Sequence, residues 1–167
     1  MEREQIEFLF REYGDDVFRL ALSYLGNRAD AEDVCQNVFL KLTDKRITLY
    51  PGKEKSWLLT CTANACKNLL SSFWRKSVIG TETDIPFQAE AERNLYGALM
   101  TLPAPYRAVI HLYYFEGYSQ GEIGEILHIS RTAVQTRMSR ARQKLKEALS
   151  EYETDIPYHD GTADVVP

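Results

Sequence analysis

Apolar residues recur along this chain at steps of three and four, the period of helices with one buried face. Ile6, Leu9, Phe10, Tyr13, Val17, Leu20, Ala21, Tyr24 and Leu25 mark a first helix with a largely acidic outer face. Gly26-Asn27 ends it, both residues being suited to a left-handed cap. Asp30 is the expected cap of a second helix, and Glu32 and Asp33 suit its positive N-terminal end. Ala31, Val34, Cys35, Val38, Phe39 and Leu42 form its buried side. Asp33, Gln36, Asn37 and Leu40 make a separate outer stripe, and a leucine set among polar groups there reads as a docking patch.

Residues 45–55 form a loop around Pro51-Gly52. The third helix is expected to bury Trp57, Leu58, Cys61, Ala65, Leu69 and Phe73. Its outer side carries Thr60, Asn64, Lys67, Asn68, Ser71, Ser72 and Arg75, and Arg75-Lys76 closes it in keeping with the helix dipole. From 77 to 90 the periodicity fails in a stretch of Gly, Pro, Thr and acids, which places a domain boundary there. A short helix over 91–100 follows. Pro105 sits near the first turn of another over 106–115, which Glu116-Gly117 ends.

The most informative stretch is 118–146, YSQGEIGEILHISRTAVQTRMSRARQKLK. Ser119 and Glu122 have capping-box spacing. Ile123, Ile126 and Leu127 give one buried face. His128-Ile129-Ser130 makes a corner, with Ser130 as the next N-cap. Val134, Met138, Ala141, Leu145 and Leu149 continue an apolar stripe. Opposite lie Arg131, Thr132, Gln135, Thr136, Ser139 and Arg140, while Arg137, Arg142, Lys144 and Lys146 add positive charge. This is the pattern of a helix-turn-helix, whose second helix enters the major groove of duplex DNA. Arg and Gln can read guanine and adenine edges, and Thr can touch a thymine methyl.

No convincing strand and no repeat interrupts the helical pattern. The expected fold is all-α: two small helical domains, 1–77 and 93–150, joined by a flexible linker over 78–92. The segment 151–167 is acidic and reads as a disordered tail.

Composition narrows the function. The 167 residues carry a net charge of −4, with 44% hydrophobic and 26% charged residues. Six bases and no acid fall between Arg131 and Lys146, so positive charge is concentrated where nucleic acid would dock. The overall acidity points to DNA binding that is local or depends on a partner. No apolar run approaches the ~18 residues that span a bilayer. The charged, amphipathic N-terminus is not a signal peptide, so the cytoplasm is the expected location. Cys35, Cys61 and Cys66 lie in apolar helical patterns and read as core residues. His111, His128 and His159 lack metal-ligand spacing, so neither a metal nor a cofactor is expected. There is no phosphate-binding glycine loop and no nucleophile–base motif, and an enzyme is not expected.

The segment from Leu102 to Leu149 resembles the C-terminal DNA-binding domain of extracytoplasmic-function (ECF) sigma factors, group 4 of the sigma-70 family. The first half agrees independently. The run from Asp30 to Leu40, DAEDVCQNVFL, resembles the family's polymerase-docking helix, and Trp57-Leu58 through Asn64 resembles the start of its promoter-melting helix. The resemblance implies a sigma-2-like domain followed by a sigma-4-like helix-turn-helix domain. It assigns Asp33, Gln36, Asn37 and Leu40 to the β′ clamp helices of core RNA polymerase. It assigns Asn64, Lys67, Asn68, Ser71, Arg75, Lys76 and the 45–55 loop to the −10 element. Arg131, Thr132, Gln135, Thr136, Arg137, Ser139 and Arg140 would read the −35 element. The β flap is a further polymerase contact, and an anti-sigma factor, often membrane-bound, is an implied partner that would hold the protein at the membrane. No small-molecule substrate is implied.

The chain departs from the family pattern at several points. Asn68 replaces a frequent Asp, and Ser71-Ser72-Phe73-Trp74-Arg75-Lys76 replaces a run of arginines, which weakens phosphate attraction. His128 stands at a corner usually held by Gly, and Gly124 replaces a common Ala; neither change is expected to break the fold. Two other readings stay open: a stand-alone helix-turn-helix regulator and a degenerate sigma-like interaction module.

Overall fold

A computed structural model describes residues 1–74 and 90–153, with side chains excepted at 73, 74, 152 and 153. Among these residues every regular element is helical: α1 Arg3–Leu25, α2 Arg28–Lys41, α3 Glu54–Trp74, α4 Glu90–Met100, α5 Ala104–Ile110, a π turn His111–Phe115, α6 Gln120–Leu127 and α7 Arg131–Glu153. The all-α expectation holds. Arg75, Lys76, most of the 78–92 linker, the side chains of Phe73 and Trp74 and the tail past 153 lie outside the described residues.

Local chemistry sets the helix ends. Gly26 adopts a left-handed conformation (φ 63°) and its N–H bonds Leu22 O at 2.8 Å, closing α1. Asn27, not Asp30, caps α2: its side chain accepts the Asp30 N–H at 2.9 Å. Asn27 and Asp30, three residues apart, are both of the residue types that cap helices well. The chain used the earlier one, which leaves Asp30 in the first turn, where its charge suits the dipole.

α1, α2 and α3 pack around Val17, Leu20, Ala21, Val34, Val38 and Leu42, all of them buried. Phe10 departs from the expected core: it is 50% exposed, its ring edge-on to Phe39 at 5.0 Å. Adjacent helical positions differ by about 100°, and Leu9 takes the inward one. The core line of α3 is also rotated from the expected one. Leu58, Leu59, Thr62, Ala63 and Cys66 are buried, while Trp57, Cys61, Ala65 and Leu69 pack at the edge. Small residues there let α1 and α2 approach closely, and the Thr62 hydroxyl is satisfied by bonding Leu58 O at 2.8 Å.

In the second half, α5 and α6 pack on α7 through Ala108, Val109, Leu112, Ile123, Leu127, Val134, Met138 and Ala141. The expected helix over 106–115 is two pieces, an α-helix that widens into the π turn. There the Glu116 N–H reaches back five residues to His111 O at 3.2 Å. The two halves share one continuous cluster of buried residues, with α5 against α1 and α6 against α3.

Candidate polymerase and promoter surfaces

The α2 stripe is where the period placed it. Asp33, Gln36, Asn37 and Leu40 are all exposed, Leu40 at 61%. The opposite side of the helix is buried, so the stripe faces solvent by construction. An exposed leucine ringed by polar groups gains most by being covered.

α7 presents the second surface. Arg131, Thr132, Gln135, Thr136, Ser139 and Arg140 are exposed, and Val134, Met138 and Ala141 behind them are buried. The fit of α6 to α7 is fixed by the corner. Ser119 and Glu122 form the full capping box, at 3.2 and 2.8 Å. His128 holds a left-handed conformation (φ 55°), and Ser130 Oγ accepts the Ala133 N–H at 3.1 Å. Arg137 differs from the other predicted readers. It is half-buried, on the side facing the first half, close enough to affect Lys67 and Tyr24 electrostatically.

The third surface is the 45–55 loop and the polar side of α3. Tyr50 is 72% exposed at the loop's tip. Asn64, Asn68, Ser71 and Ser72 are exposed, the two serines bonding carbonyls of their own helix at 2.9 Å. A cleft of about 480 Å³ separates the loop from α6; Lys53, Ser56, Trp57, Thr60 and Tyr118 line it. Trp57 is thus a cleft-edge residue and not a core one. Lys67 is turned from the open face: its Nζ donates to Leu127 O, the last carbonyl of α6, at 3.0 Å. Burial, assisted by the charge of Arg137, pushes its ammonium below the ordinary lysine range.

A junction between the halves was not foreseen. Lys55 Nζ lies 2.7 Å from Glu116 Oε2 and 3.1 Å from Asp16 Oδ2. Glu116 is 3% exposed at its side chain and also meets His111 Nε2 at 3.2 Å. The Arg107 guanidinium donates to Ser23 O, Tyr24 O and Leu102 O, each at 2.6 Å. Sequence carried one usable signal for this: Arg107 and Glu116 are single charges set into the apolar run APYRAVIHLYYFE. Such charges are retained when they have partners. Nothing around Lys55 distinguishes it from a solvated lysine.

The cysteines are core residues, as expected. Cys35 and Cys66 are buried, Cys61 half-buried, and all three are free thiols. Burial pushes the Cys66 thiol up to about 12, so no reactive thiolate forms at neutral pH.

Comparison with known proteins agrees with this geometry. Residues 9–76 match the family model for sigma-70 region 2, and residues 92–145 match that for sigma-70 region 4. RNA polymerase sigma factor CarQ of Myxococcus xanthus is 30% identical over 164 residues, covering 92% of this chain and 94% of its own length. ECF RNA polymerase sigma factor SigE of Mycolicibacterium smegmatis is 29% identical over 160 residues. That match covers 88% of this chain but 62% of SigE, so the chain spans less than two thirds of that relative. Among solved structures, the fold resembles sigma factor RpoE in its complex with the anti-sigma factor NepR from Bartonella quintana. The TM-score is 0.78 at 23% identity, covering 88% of this chain and 98% of RpoE. It also resembles CnrH in complex with the cytosolic domain of CnrY, with a TM-score of 0.65 at 24% identity and 90% of each chain covered.

Proposed function

The chain belongs to the ECF sigma factors of the sigma-70 family, and from that premise we propose that it directs core RNA polymerase to a specific set of promoters and helps open them. One observation carries the reading. A solvent-facing docking stripe on α2 and a solvent-facing basic reading face on α7 occur in one chain, each backed by a buried apolar side. A stand-alone DNA regulator has no use for the first of these.

In this reading residues 1–77 dock on the β′ clamp helices through Asp33, Gln36, Asn37 and Leu40. The 45–55 loop and α3, with Asn64, Lys67, Asn68, Ser71, Arg75 and Lys76, hold the −10 strand as it separates. An unstacked base costs a few kcal/mol, offset by contacts in the loop–helix cleft. Residues 93–150 read the −35 duplex through Arg131, Thr132, Gln135, Thr136, Arg137, Ser139 and Arg140, in contact with the β flap. An anti-sigma factor is the proposed inhibitor, and its membrane attachment would decide whether this otherwise cytoplasmic protein is held at a membrane. Among the described residues no helix is long and apolar enough to cross a membrane. The reaction chemistry belongs to the polymerase.

The test is in vitro transcription with purified core polymerase on a library of promoter fragments, with and without the protein. New start sites that share two upstream elements are expected. Polymerase binding with no start site would leave an interaction module, and the absence of both would leave a stand-alone regulator.

A further inference from the structure

Three cations cross between the halves, and each is matched to a specific need on the far side. The last turn of α1 has no basic residue of its own, and Arg107 from α5 supplies one at the Ser23 and Tyr24 carbonyls. The last turn of α6 also lacks a base, and Lys67 from α3 supplies it at Leu127 O. Cations at helix C-termini are favourable because unpaired carbonyls gather there at the negative end of the dipole. Lys55, also from α3, neutralises the buried carboxylate of Glu116. The exchange is reciprocal: the second half completes α1, and the first half completes α6 and the π turn.

Lys55 and Lys67 are the only two bases in α3, Glu54–Trp74. Lys67 is committed to the second half, and Lys55 is shared between Glu116 there and Asp16 of α1. The helix proposed to hold a melted strand therefore presents no free cation along its described length. The α2 stripe and the α7 reading face remain open in the same arrangement.

We infer that this is a self-closed resting state in which the second half withdraws the positive charge of α3, leaving polymerase docking and duplex reading available while strand holding is masked. Separation of the halves frees Lys67 and leaves Lys55 with Asp16 alone, and α3 gains charge that attracts phosphate. A nucleic-acid phosphate then competes with the Leu127 carbonyl for the same ammonium. This deepens the sigma-factor reading and rests on it for the identity of the strand, but the closure itself is a property of the free chain.

The experiment is small-angle X-ray scattering on the full chain, with circular dichroism to confirm helix content. The variants are Lys55→Glu, Glu116→Lys and the double swap. Each single reversal is expected to raise the radius of gyration by several ångströms at unchanged helicity, and the double swap to reverse part of that rise, since Asp16 still faces position 55. A wild type already as extended as the single variants, or single variants as compact as wild type, overturns the proposal. So does a double swap no more compact than the single variants. If a reversal unfolds the chain, the near-isosteric Glu116→Gln takes its place: a larger radius supports the closure and an unchanged one overturns it. Glu116→Gln, which keeps both lysines of α3, should also bind a single-stranded −10 oligonucleotide several-fold more tightly than wild type. Equal or weaker binding overturns the masking. Start-site selection with core polymerase reports separately on the sigma-factor reading, which can fail while the scattering result stands.

Discussion

A Cβ placed on Gly124 would lie 2.8 Å from the carbonyl oxygen of Ile129, a distance that real Cβ atoms essentially never show. Ile129 is held there by its own N–H, which bonds Gly124 O at 2.9 Å across the left-handed His128. Gly124 therefore lies where the tight corner leaves no room for a side chain.

Gly124→Ala should destabilise the chain. Ala is favoured in a helix by about 1 kcal/mol over Gly. The clash is with backbone, and overpacking of that kind costs about 1–3 kcal/mol. A net loss of about 1 kcal/mol is expected in thermal unfolding. His128→Gly should gain about 0.5 kcal/mol, since relief at positive φ exceeds the added freedom of the unfolded chain. A more stable Gly124→Ala would refute the clash with Ile129 O.

Arg107→Leu should cost at least about 4 kcal/mol, because charged hydrogen bonds contribute about 1.5–3 kcal/mol each and three carbonyls lose their donor. Arg107→Lys should recover only part of this, since an ammonium lacks the planar fork. The denaturant midpoint is the readout, and full recovery by Lys would show that charge alone matters there.

Leu40→Glu should leave folding unchanged, because the side chain is exposed. Affinity for core polymerase should fall at least tenfold in a pull-down or fluorescence titration, with duplex binding by the second half intact. A parallel loss of stability would show that Leu40 is structural.

Arg131→Ala with Gln135→Ala should abolish discrimination at the −35 element while keeping core binding. Each bidentate base contact is worth about 1–3 kcal/mol of discrimination. Footprinting on matched and mismatched duplexes measures it; retained discrimination would move the reading face elsewhere on α7.

Closure should be flat in pH through neutrality. Burial pushes the Glu116 carboxyl up, but hydrogen bonds from His111 and Lys55 outweigh it and hold it below the ordinary 4.5. Its contribution is present above that value and lost as pH falls through the lowered one. Burial pushes Lys55 down, but its bonds to Glu116 and Asp16 outweigh that and raise it above 10.5. Its contribution is present below 10.5 and lost as pH rises through the raised value. Asp16, His111 and Tyr118 complete the surroundings. Scattering profiles from about pH 6 to about pH 8 should superimpose, the Lys67 ammonium, held below the ordinary lysine range, changing only at more alkaline pH. Opening near pH 7 would contradict the assignment.

The helices, the α2 stripe and the α7 face were legible because each depends on a period written into contiguous residues. Leu40 is exposed because Val38 and Phe39 turn inward beside it. The core line of α3 differs from the expected one by a rotation about the helix axis: Leu59, Ala63 and Cys66 face inward where Trp57, Cys61 and Ala65 were expected, because apolar residues on both sides of Leu58 leave the local period ambiguous. The junction was least legible. Whether Lys67 meets phosphate or the end of α6 depends on how two halves sixty residues apart approach each other, and no local pattern encodes that.

The π turn at His111–Phe115 has a consequence for reading one protein from another. It holds one residue more than an α-helical turn between Ile110 and Gly117. A relative that is α-helical throughout this stretch would be one residue shorter there. Aligned without a gap, every later position would be off by one, and the counterpart of the exposed Gln135 would fall on the buried Val134. Promoter specificity inferred from such an alignment would be assigned to side chains that never see the groove.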